Sequence, residues 1–234
     1  MSLIVAMQVP TGLVLSGDSR STGTISQQVP NPSAPGTNVN VQTSIVLSDA
    51  TNKVFIVHKR FGVGTFGEAF VKNLPIAHHI EQYELFSANR VPASTQHLAQ
   101  EILTYFRAIT PILNVNFLVV GYDNTQPWLL VVNVSANSIV RQFHDSTTNI
   151  VQYGVNYGGD YAIVQRLLSQ PQFNPPFDLM NLQDAVDFSR HLIRTTIDQL
   201  RFEPRFATVG GPIDSLVITP NYCEFLKKKE LQAN

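Results

Sequence analysis

Two short apolar runs at the start of the chain predict a β-hairpin. Residues 3–7 and 13–15 are rich in strand-forming side chains, and Val9-Pro10-Thr11-Gly12 lies between them. Because proline and glycine favour tight turns, the two runs are expected to pair as antiparallel strands. The second run leads directly into Asp18-Ser19-Arg20.

The rest of the chain divides into groups of strands and groups of helices. Alternating and β-branched patterns predict strands at residues 44–47, 53–61, 116–120, 128–134, 139–143, near 151 and at 215–219. Residues 121–127 are expected as the turn between the two middle strands. Helical spacing of apolar residues predicts helices at 67–86, 94–109 and 182–200, and residues 154–168 suggest a glycine-containing turn followed by a helix. Paired strands followed by paired helices favour an α+β fold with packed sheets and helices outside them, rather than βαβ units.

Two predicted helices have capping residues at their starts. Ser94 or Thr95 precedes the apolar stripe of the helix at 94–109. Asn181 precedes the helix at 182–200, and Asp184 stands three positions later, as in a capping box. The basic tail Lys227-Lys228-Lys229 is predicted to be a solvated end.

A long polar segment at residues 21–44 separates the first hairpin from the next strand. Its centre, residues 30–38, contains three prolines, a glycine and two asparagines. Because such a composition disfavours regular structure, this centre is predicted to be an exposed loop.

The composition excludes several classes of function. The formal net charge is −1, so electrostatics give no support for binding nucleic acid or an anionic membrane. No apolar stretch approaches the ~20 residues of a membrane span, and no basic residue precedes the apolar N-terminus, which predicts a soluble, cytoplasmic protein without a signal peptide. Only 14% of the residues are charged, against about 25% in typical domains, which favours a surface partly buried against other subunits.

The residues that bind metals or form disulfides are sparse. The single cysteine, Cys223, excludes an intramolecular disulfide and a cysteine metal cluster. The adjacent pair His78-His79 falls on a predicted helix, where neighbouring side chains point in different directions. We therefore predict neither a metal nor a cofactor.

The beginning of the chain resembles mature proteasome β-type subunits and their bacterial relatives, in particular the bacterial ancestral-β-subunit group. Members begin with a catalytic Thr or Ser, form a hairpin and reach an Asp-Ser-Arg sequence, which here is Asp18-Ser19-Arg20 after Ser2. The order and spacing of further positions agree with this family over almost the whole chain: Lys53, Gly67, Gly121-Tyr122-Asp123, Met180-Asn181-Leu182 and Gly210-Gly211-Pro212.

The resemblance implies a fold and a site. The fold would be a four-layer αββα sandwich of N-terminal-nucleophile hydrolase type, a single domain at 1–234 with residues 21–44 as a loop insertion. Ser2 would be the nucleophile once Met1 is removed, because a free amine can then act as its base. Asp18 would keep Lys53 charged, the Gly67 N–H would stabilise the oxyanion, and Thr65 and Ala69 would lie near the pocket for the substrate side chain.

The resemblance also implies partners. The chain would assemble into a ring-shaped or helical homo-oligomer and hydrolyse a peptide or protein substrate through an acyl-enzyme. An ATP-dependent unfoldase is left open as a further partner.

Three positions depart from the family. Tyr157, Phe206 and Val209 stand where members place polar residues, of which two help to position the terminal amine, and only Thr208 offers a nearby hydroxyl. These departures favour an alternative, a non-catalytic structural member of the same fold in which Met1 is retained.

A second alternative belongs to another class of function. Gly62-Val63-Gly64-Thr65-Phe66-Gly67 has the spacing of a dinucleotide-binding loop between a predicted strand and a predicted helix. Glu84 lies near the distance expected of the ribose-binding acid. Against this alternative, helices rather than a second parallel strand follow the motif.

Overall fold

The computed structural model describes residues 2–34, 36–170, 172 and 174–229. Its helices are α1 (Ile76–Phe86), α2 (Thr95–Ile109), α3 (Ala162–Leu167) and α4 (Leu182–Leu200). Its strands are β1 (Leu3–Val9), β2 (Gly12–Gly17), β3 (Ser21–Pro30), β4 (Asn38–Ser48), β5 (Val54–Val57), β6 (Phe61–Gly67), β7 (Phe70–Val71), β8 (Leu74–Pro75), β9 (Val115–Asp123), β10 (Gln126–Asn133), β11 (Ser138–Gln142), β12 (His144–Asp145), β13 (Ile150–Val151), β14 (Gly154–Gly159), β15 (Asp214–Ile218) and β16 (Cys223–Lys227). The fold is α+β with antiparallel sheets.

The first five-stranded sheet has the strand order β14-β1-β2-β15-β16, and all its neighbours are antiparallel. The predicted N-terminal hairpin is confirmed, with Val9 paired to Gly12 across the turn. Every residue of β1 is buried, because alternate side chains enter two different apolar clusters. Leu3 and Val5 pack with α3 and α4, whereas Ile4 and Ala6 pack with strands of the other large sheet.

The second five-stranded sheet has the order β11-β10-β9-β6-β5 and is also antiparallel throughout. Phe61, Phe117 and Leu130 on one face pack against α1 and α2. Leu118 and Leu129 on the other face join the cluster shared with the first sheet. The predicted strands at 116–120 and 128–134 are confirmed, although the connecting turn is much shorter than expected, since Asp123 already pairs with Gln126.

The segment Gly62–Gly67 is a strand, so the phosphate-binding loop on which the dinucleotide alternative depends is not formed there. Gly62, Gly64 and Gly67 all lie in β6 and pair with β9, and Gly62 and Gly64 also pair with β5. The two glycines inside the strand let the sheets approach closely, because a Cβ on Gly64 would lie 2.8 Å from Ile4 and one on Gly62 would lie 2.9 Å from Leu216, both in the first sheet. Helix α1 starts only at Ile76, after the small β7–β8 hairpin, so the helix predicted for 67–86 is correct only in its second half.

Most of the segment at 21–44 is a β-hairpin, so the expectation of a loop over its whole length is wrong, whereas the described residues at its predicted centre do form an exposed connection between the two strands. We call β3 and β4 together the β3–β4 ribbon; it pairs from Ser21 with Ser48 to Pro30 with Asn38, and the connection at its tip is short. In β4, Val39, Val41 and Ile45 lie on one face, and Ile25 and Val29 of β3 share that face, on which Val29 pairs with Val39 and Ile25 with Thr43. The strands were not predicted because the prolines and asparagines near the tip favoured a loop.

The glycine-containing part of 154–168 is also a strand, β14, rather than a turn. It forms an edge of the first sheet by pairing with β1. The helix expected after it is α3. The tail is only partly as predicted, because Lys227 ends β16 and Lys229 is buried.

The predicted helix caps are confirmed for α2 and α4. The Ser94 side chain accepts a hydrogen bond from His97 N, which selects Ser94 over Thr95 as the cap. Asn181 and Asp184 form the complete reciprocal capping box of α4. Within the described ranges, no helix is both long and apolar enough to cross a membrane.

Replacing the cap of α4 should measurably destabilise the fold. Asn181→Ala removes the acceptor for the Asp184 amide and is expected to lower the free energy of unfolding by ~1 kcal/mol in a urea titration. Gln183→Ala, in the same turn and exposed, is the matched control and should change it by less than ~0.5 kcal/mol. Equal effects of the two substitutions would contradict the capping role.

Candidate active site

The Asp18 carboxylate lies at the end of β2 and is fully buried. Its Oδ1 accepts hydrogen bonds from Leu3 N at 2.9 Å and from Lys53 Nζ at 2.7 Å. Its Oδ2 accepts from Arg20 N at 3.1 Å and from Gly210 N at 3.0 Å. One carboxylate therefore fixes the start of β1, the chain after β2, the residue before β5 and the loop before β15.

Lys53 directly precedes β5, and its side chain is only 4% exposed. Besides its bond to Asp18, Nζ donates to the Arg20 carbonyl at 2.5 Å, and the Lys53 carbonyl accepts from Thr65 N at 2.9 Å. Burial lowers the pKa of Lys53, and the charge of Asp18 works in the opposite direction. Burial therefore favours the neutral amine of Lys53, which is the form that can accept a proton from a hydroxyl.

Ser2 is buried at the start of β1, against the end of β14. Its carbonyl accepts a hydrogen bond from Asp160 N at 2.7 Å. Gly159 has a φ of +100°, and a Cβ there would lie 1.7 Å from the Ser2 carbonyl oxygen. The absence of a side chain at Gly159 is therefore what allows β14 to hold the Ser2 backbone in this position.

A small cavity brings four of the predicted site residues together. Ser2, Lys53, Thr65 and Ala69 all line it, and its volume is about 20 Å³. This volume has room for about one water molecule. The Thr65 hydroxyl is buried and has no hydrogen-bond partner in the described part of the chain.

Gly67 lies beside this cavity, on a larger open groove of about 860 Å³. Phe66, Glu68 and Ala69 line both spaces, so the groove and the cavity adjoin. Gly67 has a φ of +106°, and a Cβ there would lie 2.3 Å from the Asn114 carbonyl oxygen. Both its conformation and its packing therefore require glycine.

A polar cluster next to Ser2, formed by Asp160, Arg205 and Thr208, was not predicted from the sequence. The Asp160 carboxylate accepts hydrogen bonds from Arg205, with Nη1 at 2.5 Å and Nη2 at 3.2 Å, and from the Thr208 hydroxyl. Burial alone would raise the pKa of Asp160, but these hydrogen bonds outweigh it and hold the pKa below its ordinary value. The one feature of the sequence that could have pointed to Asp160 is its position directly after Gly158-Gly159.

The three residues that depart from the resemblance are accounted for by packing or by the groove. Val209 is buried in the cluster beneath α4, and Tyr157 packs at the edge of that cluster with its ring 5.5 Å from that of Tyr161. Phe206 is partly exposed and lines the groove. The polar groups on this side of Ser2 come instead from Asp160, Arg205 and Thr208.

No protein-family model matches this chain, and no curated protein matches it in sequence. In the residues described, no group of three or more His, Cys, Asp or Glu side chains is arranged to hold a metal ion.

Removing the Asp18 charge should destabilise the protein strongly. Asp18→Asn leaves the Lys53 ammonium buried without its counter-ion, which is expected to cost ~3–5 kcal/mol of unfolding free energy in a denaturant titration. Asp49→Asn breaks a more exposed carboxylate–guanidinium pair with Arg20 and is the matched control, with an expected loss of at most ~1 kcal/mol. A small loss in Asp18→Asn would show that the buried pair does not hold these segments.

The contribution of Asp160 to the free energy of unfolding should depend on pH. Because its pKa is lowered in the folded state, its stabilising effect is present above its unfolded pKa of about 4 and is lost as the pH falls through the folded value. The difference in unfolding free energy between the wild type and Asp160→Asn is therefore expected to shrink steadily in acid denaturation series below about pH 4. A difference that stays constant over this range would contradict the assignment.

Proposed function

We propose that this chain is an N-terminal-nucleophile amidohydrolase of proteasome type, in which Ser2 attacks a peptide carbonyl. One observation carries the proposal: Lys53, which is buried and paired with Asp18, lines the same cavity as Ser2, and Asp18 also accepts a hydrogen bond from the amide of Leu3, the residue after Ser2. A hydroxyl is a weak nucleophile unless a base accepts its proton, and this arrangement provides a lysine for that role.

The proposed reaction has two steps: Ser2 is acylated as the peptide bond breaks, and the resulting ester is then hydrolysed. After removal of Met1, Ser2 Oγ bonds to the carbonyl carbon while its proton passes to the Lys53 amine or to the Ser2 amine. The oxyanion of the tetrahedral intermediate would be stabilised by the Gly67 N–H at the border of the groove. The leaving amine takes a proton as the peptide bond breaks, and water then hydrolyses the Ser2 ester.

The polar cluster around Asp160 supports this role for the Ser2 amine. Asp160 N already binds the Ser2 carbonyl, and its carboxylate lies in a network with Arg205 and Thr208. In the proposal these groups orient the amine in place of the polar residues that Phe206 and Val209 replace. The non-catalytic alternative rested on the loss of those residues, so this cluster weakens it.

We further propose that the domain is a four-layer αββα sandwich. Three separate apolar clusters support this arrangement: one lies between α1, α2 and the second sheet, one between the two sheets, and one between the first sheet, α3 and α4. Ser2, Lys53 and Gly67 all belong to segments at the ends of strands in these two sheets.

The open groove fits an extended peptide as the substrate, and assembly with further copies would cover exposed apolar surface. About 860 Å³ of groove adjoins the Ser2 cavity, and Thr22, Gly23 and Thr24 of the β3–β4 ribbon form part of its wall. Large apolar side chains outside the groove are highly exposed, among them Phe86, Ile112, Leu179 and Phe202. Such exposure is typical of surfaces buried in an oligomer.

Intact-mass spectrometry with an active-site-directed electrophile tests the proposed function. The wild type is expected to lose Met1 and to gain one covalent adduct, and Ser2→Ala should lose Met1 without gaining the adduct. Ser19→Ala is the matched control, because Ser19 is equally buried near Asp18 but does not line the cavity, so its variant should still react.

Two outcomes would contradict the proposal. Retention of Met1 with no adduct would support the non-catalytic alternative, with the fold unaffected. An adduct that persists in Ser2→Ala would place the nucleophile elsewhere in the chain.

A further inference from the structure

A second buried ion pair lies beside the proposed site and joins the C-terminal segment to it. The Lys229 ammonium contacts the Asp214 carboxylate, and Lys229 N donates to Asp214 Oδ1 at 2.8 Å. The two side chains are only 6% and 2% exposed. The lysine predicted to be part of a solvated end is therefore enclosed by the fold.

This second pair is adjacent to the first in two ways. Asp214 begins β15 and pairs with Gly17, the residue before Asp18. Lys229 Nζ also donates to Asn52 Oδ1 at 3.2 Å, and Asn52 lines the Ser2 cavity and directly precedes Lys53. Two buried ion pairs thus lie in neighbouring parts of the structure next to Ser2.

The pair is not explained by stability alone. The free-energy cost of removing two charges from water is about as large as the gain from their attraction. A buried ion pair is therefore weak grounds for inferring stabilisation. The Lys229 ammonium can, however, change the protonation of a nearby lysine, because a like charge disfavours the protonated form of its neighbour.

The charges that act on Lys53 come from several elements. Burial is the largest cause of its lowered pKa, and the charge of Lys229 adds to the lowering. Asp18, at the end of β2, and Asp49, in the loop after β4, act in the opposite direction and raise it. Lys229 is therefore the basic residue in this set that favours the neutral amine.

We propose that Lys229, held in place by Asp214, is a positioning residue of the site that favours the neutral form of Lys53. The neutral amine is the form that can accept the Ser2 hydroxyl proton. That catalytic consequence rests on the proposed function, whereas the effect of Lys229 on Lys53 does not.

Direct titration of Lys53 tests the proposal without any need for activity. The chain has six lysines, so protein labelled with ¹³C at the lysine side chains gives few resonances, and Lys53→Arg identifies the one from Lys53. The titration midpoint of Lys53 is then measured in the wild type and in Lys229→Met, Lys229→Arg and Asp214→Asn. Thermal unfolding establishes that each variant is folded over the pH range used.

The expected shifts differ in sign, which a merely structural role would not produce. Lys229→Met removes the neighbouring positive charge and should raise the Lys53 midpoint by about one pH unit. Asp214→Asn keeps an acceptor oxygen but leaves the ammonium without its counter-ion, and should lower the midpoint. Lys229→Arg keeps the charge and should leave it near the wild-type value.

Several results would overturn the proposal. Shifts in the same direction in Lys229→Met and Asp214→Asn would indicate a general loosening of the site, and unchanged midpoints would show no coupling. A Lys53 that stays protonated up to the pH of unfolding in the folded variants would also contradict it. If Lys229→Met does not fold, the shift in Asp214→Asn alone decides, because the proposal requires it to be downward.

The pH dependence of covalent labelling distinguishes this inference from the proposed function. If the wild type reacts, the rate of adduct formation should rise with pH as Lys53 loses its proton. In Lys229→Met this rise should move to higher pH by the same amount as the Lys53 titration midpoint. A wild type that never reacts, but whose Lys53 midpoint responds as expected, would disprove the proposed function and leave the effect of Lys229 established.

Discussion

The buried contact between Asp18 and Lys53 is the interaction on which the geometry of the site depends. A charged pair in an apolar interior is tolerated only when its remaining hydrogen-bonding capacity is also satisfied. Asp18 meets this condition with amides from three separate segments, and Lys53 meets it with the Arg20 carbonyl. The hydrogen bonds of Asp18 and Lys53 thus tie several separate segments of the chain together around Ser2.

The packing of the two sheets explains why the site lies where it does. β1 is covered on both faces, so its N-terminal end, with Ser2, is held between the two sheets rather than at the surface. Small residues permit the close approach at this end: Gly64 faces Ile4, and Gly159 faces the Ser2 carbonyl. Substitution of either glycine would displace strands and, through them, the position of Ser2.

The electrostatics of the region are those of a compact, nearly neutral cluster. Asp18 and Lys53 form one pair, and Asp214 and Lys229 form a second one next to it. In such a cluster the protonation of one lysine depends on the charge of the other, since neither is screened by water. In the proposal for Lys229, this coupling lets a residue after β16 influence the protonation of Lys53 without contacting a substrate.

The sequence by itself determined the elements whose patterns are local. The N-terminal hairpin, the middle strands and the capped helices α2 and α4 follow from alternation, helical spacing and capping residues within a few positions of each other. Only the tertiary structure decided that the glycine motif is a strand, that residues 21–48 form a ribbon, and that Asp160 and Lys229 lie beside Ser2 and Lys53. The reason is physical: the Gly210 amide binds Asp18 across 192 positions of the chain, and contacts of that range depend on which strands pair rather than on any local pattern.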